Sequence, residues 1–238
     1  MNQAEGYVMP TMVSDVSVDE RTAFIRRTYA HLTGAIFAFA GMIWVLFQTG
    51  VAKGMFEAMV GNQMMFLLYL VGFIFVSWIA DKWARSDRSS GMQYLGLGVY
   101  VFAQALIFSP ILYYANELGL ERGTSIIESA ATTTLAIFAG LTIFVFTTKK
   151  DFSFLRGILV VASLVAGGAI LCSFLFGFGL GTFFTIAMIA LAAGYILYYT
   201  SNIIHHYQTH QHVAAALALF ASVALLFWYV LQLFMSRE

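Results

Sequence analysis

The side chains able to do chemistry are few, and they fall in three places. Four histidines share one stretch: His205, His206, His210 and His212. Their spacing does not define a metal site, and no cysteine or carboxylate accompanies them. They read as a solvated loop that responds to pH, because imidazole titrates near neutrality. A mixed-sign run holds Asp81, Lys82, Arg85, Asp87 and Arg88. It reads as a solvated loop with ordinary ion pairs, and Asp81, nearest the apolar block before it, is also placed to gate a mouth. Glu128 sits at the edge of another apolar block. Ser125-Ile126-Ile127-Glu128 has the spacing of a capping box, with the carboxylate complementing a helix dipole. That reading competes with a proton or ion role for an acid at membrane depth.

Within the apolar blocks the polar groups are Gln104, Thr132, Thr133, Thr134, Thr142, Ser163, Tyr199 and Ser222. Most are expected to bond to a carbonyl one turn back or to a neighbouring helix. Thr200 and Asn202 extend the set at the end of one block. No block carries an Asp, Glu, Lys or Arg at its middle, which argues against ion-coupled transport. There is no Ser-His-Asp grouping with a supporting motif, no HExxH, no phosphate-binding Gly-rich loop and no pair of intramembrane aspartates. The sequence therefore points to a non-enzyme with no cofactor. The single cysteine, Cys172, lies in an apolar block and cannot form an intramolecular disulfide.

The elements that hold these groups follow from composition. Of 238 residues, 61% are hydrophobic and 10% charged, against about 25% charged in a soluble domain. The apolar residues come in long blocks rather than stripes, so lipid is the solvent. A net charge of zero gives no field that would draw nucleic acid. Continuous apolarity over about 20 residues favours helices over the alternating strands of a barrel. Seven spans result, near 30–50, 64–80, 92–115, 125–147, 156–176, 181–201 and 213–235. Ser109-Pro110 predicts a kink or local unwinding in the third. Gly177-Phe178-Gly179 predicts a tight hairpin between the fifth and sixth.

Nine Lys and Arg flank the spans on one side, among them Arg21, Arg26, Arg27, Lys149 and Lys150. Three, Lys53, Arg122 and Arg237, lie on the other. The positive-inside rule then places the N-terminus in the cytoplasm and, after seven spans, the C-terminus outside. Ser17-Val18-Asp19-Glu20 reads as a capping box that starts the first helix before the membrane. Phe24, Ile25 and Tyr29 would then lie toward lipid. Residues 1–20 form a cytoplasmic tail, mobile through residue 16, and 21–238 a single transmembrane domain. Residues 1–20 lack the basic start and apolar core of a signal peptide.

Two motifs carry a family resemblance. Thr147-Thr148-Lys149-Lys150-Asp151-Phe152-Ser153-Phe154-Leu155 resembles the fourth-to-fifth loop of the Bax inhibitor-1 family. Tyr199-Thr200-Ser201-Asn202-Ile203-Ile204-His205 resembles the end of the sixth helix in its bacterial YccA-like branch, and Ser236-Arg237-Glu238 is similar to its C-terminus. The resemblance runs from about Thr22 to the end. It implies an all-α bundle of seven helices with a central seventh. It also implies one of two activities. Some members pass Ca²⁺ down its gradient through a pH-sensitive aspartate pair on the sixth and seventh helices. YccA-like members bind and modulate the AAA+ membrane protease FtsH through a cytoplasmic tail. The pair's positions fall here on Tyr199 and Ser222. A phenol with an ordinary pKa near 10 and a serine hydroxyl cannot titrate as a carboxylate pair. A Tyr199–Ser222 hydroxyl bond would hold a closed state without the pH switch. The expected role is therefore an FtsH-binding regulator of the bacterial inner membrane, with a pH-insensitive Ca²⁺ or cation leak as the alternative.

Overall fold

The computed structural model describes residues 11–60, 62–86 and 90–236. Residues 1–10, Asp87, Arg88 and the terminal Arg237 and Glu238 lie outside the described residues. Among the described residues eight α-helices follow in order: α1 (Val18–Gln48), α2 (Val51–Val60), α3 (Gln63–Ala84), α4 (Ser90–Arg122), α5 (Ile126–Thr148), α6 (Leu155–Phe176), α7 (Gly181–His205) and α8 (His212–Ser236). All but α2 are long and apolar enough to cross a membrane. The chain is an all-α, seven-span membrane bundle. Phe37, Trp44, Trp78, Leu164 and Phe183 project outward, as suits a surface bathed in acyl chains.

The seventh span, α8, is the core. In its most apolar stretch 78% of residues are buried, against 11% for α1, α3 and α6. It packs against α1, α3, α4, α5 and α7. Its first half is rich in alanine, from Ala214 through Ala218, so neighbouring backbones can come close. Around it Leu219 and Phe220 join Leu32, Leu97 and Val101, and further along Leu226 and Leu231 join Phe108, Leu112 and Ile196.

Several expectations need correction. The short α2 was not anticipated: at ten residues it is too brief to span and packs on α1, α3 and α4. Pro110 does not unwind α4, which runs unbroken through it. Proline leaves the carbonyl four residues back without its donor. The Ser109 hydroxyl takes that place, donating to Leu106 O at 3.0 Å. The Ser17 cap forms, accepting from the Glu20 amide, but Ser125 makes no side-chain cap and Glu128 is simply exposed in the first turn of α5. Phe24 is buried, and Ile25 and Tyr29 pack on the core with it rather than on lipid. The α6–α7 turn does close tightly, with Gly177 left-handed at φ 71°.

The tightest helix contact is between α3 and α4. A Cβ at Gly96 would lie 2.6 Å from both Ala80 O and Ala84 N, whereas one at Gly98 would meet nothing within 4 Å. Helix propensity alone favours alanine at both sites. Gly96→Ala is therefore expected to destabilise the bundle by about 1–3 kcal/mol through overpacking, while Gly98→Ala leaves it unchanged or slightly more stable. Thermal unfolding of the two variants in the same detergent checks this, and equal midpoints would overturn the contact.

Candidate functional site

The basic end of the bundle gathers most of the polar side chains. α5 ends on Lys149, whose left-handed φ of 51° is the only such non-glycine conformation among the described residues. A position of that kind costs about 1 kcal/mol or more and persists only where the surroundings fix it. Here it turns the chain so that Lys150, Asp151 and Phe152 reach the end of α7. Ser201, fully buried, accepts from the Phe152 amide at 2.8 Å. The Asp151 carboxylate accepts from the Ser153 amide at 2.8 Å and from His206 Nε2 at 2.9 Å. Burial on its own would raise the Asp151 carboxyl. The bonds from Ser153 and His206 outweigh it and hold the pKa at about 2, below its ordinary 3.8.

A second group hangs from α3. Arg85 Nε bonds both carboxylate oxygens of Asp81 at 2.9 Å, one helical turn apart. Both side chains are about half exposed. The pair lies close enough to Tyr199 of α7 and to Tyr207 beyond it to act on their hydroxyls. Burial pushes the Tyr207 hydroxyl well above its ordinary range, so it stays neutral. Ser222 turns away: its hydroxyl donates to Ala218 O at 2.8 Å within α8. The expected Tyr199–Ser222 bond is absent among the described residues, because serine on a helix satisfies itself on the preceding turn. Inside the bundle Thr28 carries a fully buried hydroxyl without a hydrogen-bond partner, and Gln104 Oε1 is likewise unpartnered. Thr200 and Thr142 face the Tyr29 hydroxyl.

The segment before α1 closes the same end. Met12 bridges Gln208, and Val13, 0% exposed, donates its amide to Tyr207 O at 2.9 Å. Arg21 reaches back to Val13 O and Ser14 O. Residues 11–16 are thus docked, not a mobile stretch. The apolar Val13 side chain and the returning guanidinium hold them in place.

Comparison with known proteins decides the family. The sequence profile described as "Bax1-I: Inhibitor of apoptosis-promoting Bax1" matches residues 21–238. The chain belongs to the Bax inhibitor-1 family. It is 28% identical over 234 residues to Bax inhibitor 1 of Schizosaccharomyces pombe, covering 94% of this chain and 80% of that one. It is 29% identical over 229 residues to an uncharacterised protein of Campylobacter jejuni, covering 92% and 91%. An uncharacterised protein of Pseudomonas aeruginosa is 38% identical over 118 residues, 49% of this chain and 53% of that one, so the match spans about half of that relative.

Within this Bax inhibitor-1 fold the two motifs that carried the resemblance meet: Asp151 from one touches Ser201 and, one step beyond the other, His206. Asp81, Arg85, Tyr199 and Tyr207 lie together, and Thr200, next to Tyr199 on α7, is fully buried. Asn202 is buried, and its carbonyl accepts from the His206 and Tyr207 amides. Glu128 and Gln104 stand apart from this group. The four histidines do not act as one loop. His206 joins Asp151, His205 is half-buried with Nε2 unpartnered, and His212 packs against His31 of α1 with ring centroids 5.1 Å apart. Sequence reasoning missed Asp151 and Tyr207. The Asp-x-Ser turn of Asp151-Phe152-Ser153 was the one local signal for the former.

Because the folded Asp151 pKa lies below the ordinary value, its clasp contributes stability above the carboxylate range and loses it as pH falls toward about 2. Asp151→Asn is expected to lower stability at neutral pH by roughly 0.5–1 kcal/mol, given its half-exposed setting. The gap should narrow between about pH 5 and 2. Melting curves of both proteins across that range test it; a gap independent of pH would rule out the charged clasp.

Proposed function

We propose that this protein is a YccA-like, non-catalytic regulator of an FtsH-type AAA+ protease in a bacterial inner membrane, with its N-terminus cytoplasmic and its C-terminus on the periplasmic or outer side. The docked segment before α1 is the observation that carries this reading. A protease that grips the chain ahead of Thr11 and pulls meets resistance at once. Val13 must leave its pocket and Arg21 must release two carbonyls, which together amount to a few kcal/mol. A tail anchored so close to the bundle offers a handhold but resists unfolding, which suits a partner that binds the protease and is poorly consumed. The end that presents it also bears the basic flanks that the positive-inside rule assigns to the cytoplasm.

Two measurements test the reading. The protease should co-purify with the full chain and be lost on deletion of residues 2–16; equal recovery would sink the tail as the engaged segment. Val13→Asp, which cannot be buried without a partner, should free the segment, keep binding, and raise the degradation rate by about tenfold, since 1.4 kcal/mol of lost resistance corresponds to that factor. An unchanged rate removes the anchoring argument.

A second reading, a Ca²⁺ or cation leak, is favoured by one observation. The buried hydroxyls of Tyr29, Thr142 and Thr200 face one another inside the bundle, and Thr200 follows Tyr199 on α7, a polar cluster of a kind a hydrated cation uses. Nothing in that cluster titrates as a carboxylate pair, so the flux would be pH-insensitive. Proteoliposome Ca²⁺ flux decides it. Flux equal to empty vesicles retires the leak; flux with a carboxylate-like pH midpoint contradicts the roles assigned to Tyr199 and Ser222.

A further inference from the structure

A groove of about 380 Å³ runs between α1 and α4 on the outer face of the bundle. That volume falls within the roughly 300–1,000 Å³ of small-ligand sites. Its walls are Gly34, Ala38 and Met42 from α1 and Leu97, Gly98 and Val101 from α4. The two glycines leave it open, since a Cβ at either would meet nothing within 4 Å. The groove begins at the basic end, where His31 and Tyr94 form its mouth.

The mouth is what separates this groove from an ordinary lipid-facing crevice. His31 stacks on Tyr94 and His212, with ring centroids 5.3 and 5.1 Å apart. The His31 Nδ1–H donates to Arg27 O at 2.6 Å, which ties the ring to the backbone of α1 at Arg27. His212 Nδ1 is buried and meets no hydrogen-bond partner. The charged and titratable groups acting on His212 are His31, Arg27 and His210, with no carboxylate among them. They come from α1 and from the loop ahead of α8, and Tyr94 faces the pair from α4. No metal-binding group of three His, Cys, Asp or Glu exists among the described residues. A permanent guanidinium with imidazoles around it, at the depth where a helix enters the bilayer, attracts an anion rather than a cation. A second groove of about 360 Å³, between α3 and α4, is lined by Leu68, Gly72, Phe73 and others with no basic residue at all. It offers no such attraction.

We infer that the α1–α4 groove is a binding site for one anionic phospholipid, with an acyl chain along Gly34, Ala38 and Gly98 and the phosphate held by the Arg27 guanidinium beside the His31 and His212 rings. Basic pockets between transmembrane helices bind anionic headgroups by this chemistry, and the groove adds contacts for the chain that a surface patch lacks. The site is independent of the protease and leak readings above. It joins α1, α4 and the start of α8, so an occupied site would hold the docked end of the bundle together.

The test uses the purified full chain in neutral detergent, titrated with phosphatidylglycerol, phosphatidylcholine or soluble glycerol phosphate, with bound lipid counted by native mass spectrometry. Phosphatidylglycerol should bind with one lipid retained, about fivefold tighter than phosphatidylcholine, as expected for one guanidinium at the surface. Arg27→Gln with His212→Gln should erase that preference. Gly98→Leu, whose Cβ would meet nothing within 4 Å, should fill the groove and remove the retained lipid; Ala38→Leu does the same from the opposite wall if the first variant fails to fold. Equal binding of the two lipids by the unaltered protein would overturn the headgroup site. Retention of phosphatidylglycerol by both groove-filling variants would overturn the chain site. Equal affinity for glycerol phosphate would show a phosphate site without a lipid.

Discussion

In a bilayer, apolar burial gives helices no reason to associate, because acyl chains are as apolar as leucine. What remains is close packing, and here it centres on α8. Its alanine-rich first half lets α7, α5 and α1 approach, and Leu219, Leu226 and Leu231 fill the spaces left between them. Everything at the basic end is positioned by that fit. Tyr207 and the loop to His212 are held where α7 meets α8, and onto this ledge dock the segment around Val13, the ring of Phe24 and the Asp151 turn. Loosening α8 would not expose much apolar surface to water, but it would remove the platform on which the polar groups are arranged.

The same solvent dictates how polar groups are spent. Thr132, Thr134, Thr147, Thr148 and Ser222 each return their hydroxyl to a carbonyl of their own helix. Ser109 does so in the service of Pro110. Ser163 and Tyr195 instead bond across α6 and α7 at 2.8 Å. Tyr29, Thr142 and Thr200 turn their hydroxyls toward one another, whereas the fully buried Thr28 hydroxyl meets no partner, and an unmet buried polar group costs roughly 1–3 kcal/mol.

Sequence carried the spans well because it carries apolarity well. Seven blocks became seven helices, and the glycine hairpin at Gly177 and the Ser17 cap formed as the local chemistry required. It failed where inside and outside are equally apolar. Phe24, Ile25 and Tyr29 read as lipid-facing because a bilayer removes the polar face that marks orientation in a soluble helix. It failed again where partners are far apart in the chain. Asp151 and His206 are 55 residues apart, and Met12 and Gln208 farther still; neither pairing leaves a periodic trace. The short α2 was missed because ten residues between two spans look like a loop when length is the criterion.

Tyr199 is where the two kinds of reading converge. The sequence placed a phenol where the family resemblance implies an acid, and the fold sets that phenol beside Asp81 and Arg85 while Ser222 bonds to its own helix. A carboxylate pair on adjacent helices repels or shares a proton, and so it reports pH. A neutral hydroxyl next to a preformed ion pair does neither. The charge that acts on the centre of this bundle comes from α3, at the rim, and it is already balanced within one helical turn. What seats α3, and with it this pair, is the close contact of Gly96 of α4 with Ala80 and Ala84, the latter adjacent to Arg85 in the chain.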